Sequence, residues 1–315
     1  METRLITATP EGIAEAAAIL RAGGLVAMPT ETVYGLAGDA RDGRSVARIY
    51  AAKNRPSFNP LIVHLPDVES VSRYAHLTPE AERLAAAFWP GPLTMVLPLR
   101  DGAGLSPLVT AGLTTVAIRV PAHPVARALL RAADLPLAAP SANPSGRVSP
   151  TRAAHVMAGL SGRIEAVLDG GACAVGVEST ILALDGPAAL LRPGGVSVEE
   201  IEAVLGHSLL MPGDPTTPKA PGQLASHYAP EARVRLNATA AAPGEVLVGF
   251  GAVRGQISLS DQGDLIEAAA NLFHILREAD SLAGPLGAIA FAPVPESGLG
   301  RAINDRLRRA AAPRP

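Results

Sequence analysis

Between residues 207 and 232 the chain loses every regular period. Pro212, Gly213, Pro215, Pro218, Pro221 and Gly222 crowd a stretch that no helix or strand can cross. A 315-residue chain broken in this way is expected to fold as two units. The expected boundaries are 1–206, a linker over 207–232, and 233–315. Before the break, helix-like and strand-like segments alternate. Thr9-Pro10-Glu11 and Thr78-Pro79-Glu80 are helix starts: a hydroxyl cap, a proline at the first helical position, and an acid near the positive dipole end. Helices are expected from Pro10 to Arg21, from Arg44 to Lys53, from Pro79 onward and from Val198 to Leu205. Apolar runs at 25–28, 61–65, 93–99, 115–120 and 181–184 read as strands. After the break come strands at 246–250 and 287–291, a helical stripe through Leu265, Leu272 and Leu276, and a terminal helix from Gly300. Alternation of this kind predicts the α/β class with a largely buried sheet.

The charge balance narrows the function. The formal net charge is -2, with 17 basic and 19 acidic side chains before residue 207 and 10 of each after it. A protein that coats phosphate backbones would show a basic excess, so at most weak direct nucleic-acid binding is expected. Aromatic residues make up 3% of the chain, which also disfavours stacking on unpaired bases. The lone Cys173 excludes an internal disulfide and a thiolate metal cluster. Met1–Arg4 lacks the charged-then-apolar pattern of a signal peptide, and Glu15, Arg21 and Gly23-Gly24 break the apolar stretch at 13–28. The expected compartment is the cytoplasm, with no membrane partner. Only Lys53 and Lys219 are lysines among 27 basic residues, so a lysine draws attention as a group arginine does not replace.

No Walker-type loop is present, and the glycines at 249, 251 and 255 precede an extended segment rather than a helix, so they read as an ordinary turn. Histidines 76, 123, 155, 207 and 274 lack metal-ligand spacing. Four polar clusters carry the candidate chemistry. Pro29–Leu36 follows a buried strand, where open α/β sheets place ligands. Lys53-Asn54-Arg55 reads either as a polyphosphate clasp or as cations suited to a helix C-terminus. Arg119 stands within a strand and needs an anion, from the protein or from a substrate. Ala139–Gly146, with Ser149 beyond, offers small hydroxyl and amide groups, or is simply a long turn. Glu178-Ser179-Thr180 and Arg192-Pro193-Gly194 flank a further strand.

In this order and spacing, Pro29–Leu36, Lys53–Arg55, Pro140–Asn143, Gly176–Ile181 and Leu191–Gly195 resemble the YrdC-like family. Ala220–Pro230 and Pro293–Arg309 extend the resemblance to the family's long, two-domain form. It implies a twisted mixed sheet with a deep positive cavity, followed by a smaller Rossmann-like α/β domain. It implies a nucleotidyltransferase that converts L-threonine, bicarbonate and ATP to threonylcarbamoyl-AMP, pyrophosphate and water. The product then passes to a tRNA threonylcarbamoyl-transferase complex, for modification of the adenosine beside the anticodon. Carried over by position, Thr32, His64, Arg119, Ala139 and Ser179 would surround threonine. Arg55, Asn59, Thr115, Ser141, Asn143, Ser149 and Arg192 would contact ATP, with Lys53 on the phosphates and Tyr228 reaching over from the linker as part of a lid. No protein nucleophile is required, and catalysis would come from positioning and charge, chiefly through Lys53 and Arg55. Mg²⁺ would arrive bound to ATP. The linker departs from the family pattern at Gln223–Ser226, where basic residues are common. Two rivals remain: a relative that adenylates another carbamoyl donor in hydrogenase maturation, although its metal-binding and acylphosphatase modules are absent, and an RNA-binding protein.

Overall fold

The structure, a computed structural model, describes residues 1–56, 59–211, 227–284 and 286–313. Among them, ten strands form one twisted mixed sheet: β1 (Arg4–Thr7), β2 (Val26–Met28), β3 (Gly35–Asp39), β4 (Ile62–His64), β5 (Leu93–Pro98), β6 (Thr115–Arg119), β7 (Leu137–Ala138), β8 (Ala166–Asp169), β9 (Thr180–Ala183) and β10 (Ala189–Arg192). Their spatial order is β1-β8-β2-β3-β7-β4-β6-β5-β9-β10. The pairs β1·β8, β4·β6 and β5·β9 are parallel, whereas β2·β3, β5·β6 and β9·β10 are antiparallel.

The helices start where the sequence marks them. In α1 (Pro10–Arg21) the Thr9 hydroxyl accepts from the Gly12 amide at 3.1 Å. Further helices are α2 (Gly43–Lys53), α3 (Pro79–Phe88), α4 (Pro107–Thr110), α5 (Pro124–Ala133), α6 (Ala153–Leu160) and α7 (Val198–Leu205). The Thr78 hydroxyl caps α3 in the same way, and a Ser197–Glu200 capping box opens α7. Side chains alternate across the sheet. Val26 and Met28 join Ala17, Leu20 and Leu129 in one core, while Ala27 joins Val46, Ile49 and Leu84 in the other. Among these elements β1, β3, β7, β8, α4, α5 and α6 had no counterpart in the sequence reading.

The second unit holds the parallel sheet β11 (Arg233–Arg235), β14 (Ala288–Phe291), β12 (Glu245–Gly249), β13 (Ile257–Ser258), in that spatial order. The long α8 (Leu265–Ala283) and α9 (Leu299–Ala311) cover it. The turn after β12 feeds β13 and not a helix, as its extended sequence implied. The two units are packed, not merely tethered. Val33, Val148 and Val177 of the first share a core with Phe273 and Leu276 of the second. Gly176, at φ 74°, sits so close to α8 that an added Cβ would lie 2.4 Å from the Ala269 carbonyl oxygen. Most of the expected linker, including Lys219 and Gln223–Ser226, lies outside the described residues. Among the described residues no helix is long and apolar enough to cross a membrane.

Candidate active site

Three crossings of the large sheet bring distant residues to one cavity. Parallel pairing of β4 with β6 sets His64 beside Arg119. The loop after β2 turns back on the Thr30 hydroxyl, which donates to the Val33 carbonyl at 2.6 Å and meets the Thr32 hydroxyl at 2.8 Å. The cavity is lined by Thr32, His64, Arg119, Ala139 and Ser179, the five residues assigned to threonine by resemblance. Of the residues assigned to ATP, Arg55, Ser141, Arg192 and Tyr228 line it as well.

Arg119 has found its anion within the protein. Its Nη2 donates to Glu31 Oε1 at 2.5 Å, its Nη1 to the Thr32 hydroxyl at 2.8 Å, and its Nε to the Gly91 carbonyl at 3.2 Å. The strand position that suggested a substrate carboxylate is thus explained by Glu31. Burial works against a charged Glu31, but the charge and hydrogen bond of Arg119 outweigh it and hold the carboxyl below its usual range. Beside this pair, burial and the positive charge of Arg119 push His64 down to about 3, so the imidazole is neutral at ordinary pH.

The other cations stand differently. Arg55 is buried, and its guanidinium donates to the backbone carbonyls of Asn59 and Pro60 at 3.2–3.4 Å, not to a carboxylate among the described residues. Burial first, and repulsion from Arg192, bring it down to about 10. Arg192, also buried, donates to the Ser179 carbonyl at 2.9 Å and to the Ser179 hydroxyl at 3.3 Å. Ser179 is steadied in turn by Thr94, 2.7 Å away. Two buried guanidiniums aimed at one cavity, with neutral oxygens as the partners of Arg55, suit a polyanion.

Lys53 departs from the expected clasp. It is not at an exposed helix end: it is 1% exposed, and its Nζ donates to the Ser141 and Asn143 carbonyls, both at 2.5 Å. Its own carbonyl accepts from the Ser145 amide at 2.7 Å. Lys53 therefore staples the 141–145 loop to the end of α2. Burial first, then the charge of Arg55, hold its pKa well below the usual lysine value. Arginine would not serve in place of Lys53, because a compact ammonium reaches both carbonyls where a planar fork would not. Lys53→Met is expected to lower stability by about 2 kcal/mol or more, since two buried carbonyls lose their donor, and to weaken ATP binding through the loop. Thermal melts beside ATP titrations check this; weakened ATP binding with unchanged melting would make Lys53 a direct phosphate contact.

Asn59, Asn143 and Ser149 are buried just behind the lining, the first two with side-chain carbonyl oxygens that have no partner among the described residues. Thr115 is not among the residues that line this cavity; it opens β6, four residues before Arg119.

The sequence reading missed two participants. Glu178 is buried and accepts from the Ser149 hydroxyl at 2.5 Å and from Arg306 Nε at 3.0 Å. Arg306, on α9, is 1% exposed and stands 5.6 Å from the centroid of the Tyr228 ring. Glu178 lay within a quoted motif. Arg306 gave no local signal, since a helical arginine near the chain's end resembles any surface cation. Burial, then Glu178, push the Tyr228 hydroxyl up to about 12, and burial pushes His227 down to about 3.

Comparison with known proteins matches this architecture over nearly the whole chain. The Sua5/YciO/YrdC family model, described as telomere recombination, matches residues 18–194. A second, described as threonylcarbamoyl-AMP synthase, C-terminal domain, matches residues 196–312. The threonylcarbamoyl-AMP synthase of Bacillus subtilis is 42% identical over 95% of this chain and 92% of its own length. That of Pyrococcus abyssi is 43% identical over 94% and 93%. The crystal structure of P. abyssi Sua5 complexed with L-threonine superposes with a TM-score of 0.90 at 40% identity, covering 98% of each chain. With both domains matched, the chain belongs to the two-domain Sua5 branch of the YrdC-like threonylcarbamoyl-AMP synthase family.

Proposed function

We propose that this protein is an L-threonylcarbamoyladenylate synthase, joining L-threonine, bicarbonate and ATP into threonylcarbamoyl-AMP with release of pyrophosphate and water. The observation that carries the reading is a single buried cavity in which one cluster suits an amino acid and another suits a polyphosphate. Threonine sits against Thr32, His64, Arg119, Ala139 and Ser179. A guanidinium has five N–H donors, and Arg119 spends three on Glu31, Thr32 and Gly91, which leaves two for the threonine carboxylate. ATP lies against Arg55, Ser141, Arg192 and Tyr228, with Asn59, Asn143 and Ser149 behind them.

The amino nitrogen attacks the bicarbonate carbon, water leaves, and a carbamate forms. A carbamate oxygen then attacks the α-phosphorus in line; the bond to the β-phosphate oxygen breaks and pyrophosphate departs. Substrate atoms supply both nucleophiles. Glu31, held ionised by Arg119, and His64, held neutral, are poor bases, so they orient rather than transfer protons. Arg55 and Arg192 stabilise the charge on the departing pyrophosphate. Among the described residues no group of three or more His, Cys, Asp or Glu is arranged to hold a metal ion, and Glu31 and Glu178 are each engaged by an arginine. The donor set therefore fits Mg²⁺ carried by the ATP phosphates, where it would neutralise their charge, better than a resident ion. The acyl-adenylate passes in the cytoplasm to a tRNA threonylcarbamoyl-transferase complex.

Pyrophosphate release is expected to require both L-threonine and bicarbonate. Serine should be poorer, since burying the threonine methyl is worth roughly 1 kcal/mol. Equal turnover with unrelated amino acids, or none with threonine, would refute the reading.

A further inference from the structure

The second unit contributes one side chain to the heart of the first. Arg306 leaves α9 and is enclosed among three segments of the cavity wall. Its Nε donates to Glu178 Oε2 at 3.0 Å, while Glu178 Oε1 holds the Ser149 hydroxyl. Its Nη1 donates to the Pro193 carbonyl, next to Arg192, and to Asp305 at 3.2 Å. Its guanidinium carbon faces the Tyr228 ring. Pro193 adjoins Arg192, Tyr228 faces the guanidinium, and Glu178 passes the third contact on to Ser149, and these three residues, Arg192, Tyr228 and Ser149, are assigned above to ATP. We propose that Arg306 is a positioning residue for the nucleotide, through which the C-terminal domain sets the ATP end of the cavity.

The pattern of bonds favours this over a stabilising role alone. Arg306 Nη2 is buried with no hydrogen-bond partner among the described residues. A buried donor without an acceptor costs about 1–3 kcal/mol, so a contact kept only for stability would fare better with apolar residues. Arg306 touches no residue assigned to threonine directly; the nearest, Ser179, follows Glu178 in the chain. Its effect should therefore divide between the substrates.

The inference rests on the reaction proposed above and is tested in the full-length enzyme with Arg306→Lys, Arg306→Ala and Glu178→Gln. Binding of ATP is measured by calorimetry, KM for ATP and for threonine by pyrophosphate release, and folding by thermal melts. Arg306→Lys keeps the charge but loses the fork. It should raise the KM and Kd for ATP about tenfold, or about 1.4 kcal/mol, and leave the KM for threonine within about twofold. Glu178→Gln should show the same division. Millimolar guanidinium should partly restore ATP binding to Arg306→Ala. Equal effects on both substrates, or a lower melting temperature with both KM values unchanged, would overturn the proposal. If Arg306→Ala does not fold, Arg306→Lys decides. A wild-type enzyme that binds ATP without threonine-dependent turnover would refute the reaction while leaving the ATP-binding comparison able to judge Arg306.

Discussion

Arg55→Ala should lose about a thousandfold in kcat/KM, roughly 4 kcal/mol of transition-state stabilisation, while melting at the same temperature as the wild type or higher. The two expectations share one cause. Arg55 holds a buried charge against neutral carbonyl oxygens at 3.2–3.4 Å, with Arg192 close enough to repel it. The depression from the ordinary arginine value to about 10 corresponds to roughly 3 kcal/mol spent on keeping that charge in the folded state. Alanine removes the strain together with the function. Bound ATP supplies the missing anion, so it should raise the melting temperature of the wild type and do so far less in the variant. Arg55→Lys should recover little, because a point charge lacks the fork that grips two phosphate oxygens. Pyrophosphate release and melts with and without ATP test this. Activity within about tenfold of wild type, or a lower melting temperature without ligand, would show that Arg55 serves the fold.

What the sequence displayed and what it hid follow a physical line. Helix starts were legible because capping is local: Thr9 and Thr78 each reach an amide three residues on. The polar motifs were legible because hydroxyl and charged groups beside apolar strands need partners. Nine of the residues carried over by resemblance line the cavity. The strand β3 was missed because Gly-Leu-Ala-Gly-Asp offers neither alternation nor β-branched side chains; it is a strand because β2 and β7 flank it on both sides.

Partners were harder to foresee than participants. Arg119 was known to need an anion, but only the turn at Thr30 shows that Glu31 supplies it. Lys53 looked like a phosphate ligand because a lysine at a helix end is usually exposed. The return of the 141–145 loop over it, a tertiary event, turned it into a staple. Arg306 lay beyond local reading altogether, since its three contacts come from segments more than a hundred residues away in the chain or from Tyr228.

The Arg119–Glu31 pair gives the second large effect, and pH makes it specific. Both side chains are buried, so Arg119→Ala strands a carboxylate and should destabilise the fold by about 3–5 kcal/mol near neutral pH. In the wild type the folded pKa of Glu31 lies below its ordinary value of 4.5. The pair's contribution is therefore complete above that value and is lost as pH falls through the lower, folded pKa. Without Arg119, burial is opposed only by backbone hydrogen bonds, so the pKa rises above its wild-type value; the variant then gains stability relative to the wild type on acidification, as Glu31 takes up a proton. The stability gap should narrow steadily from about pH 7 to about pH 4. Replacing both partners, as Glu31→Leu with Arg119→Met, should restore most of the stability at neutral pH, because neither charge is left buried alone. It should not restore threonine-dependent pyrophosphate release if, as proposed, the two remaining guanidinium donors of Arg119 hold the threonine carboxylate. Denaturant titrations across pH, beside threonine titrations, measure both halves. A gap that stays constant with pH would mean the loss comes from packing rather than from Glu31. Normal threonine use by the double variant would remove Arg119 from the amino-acid site.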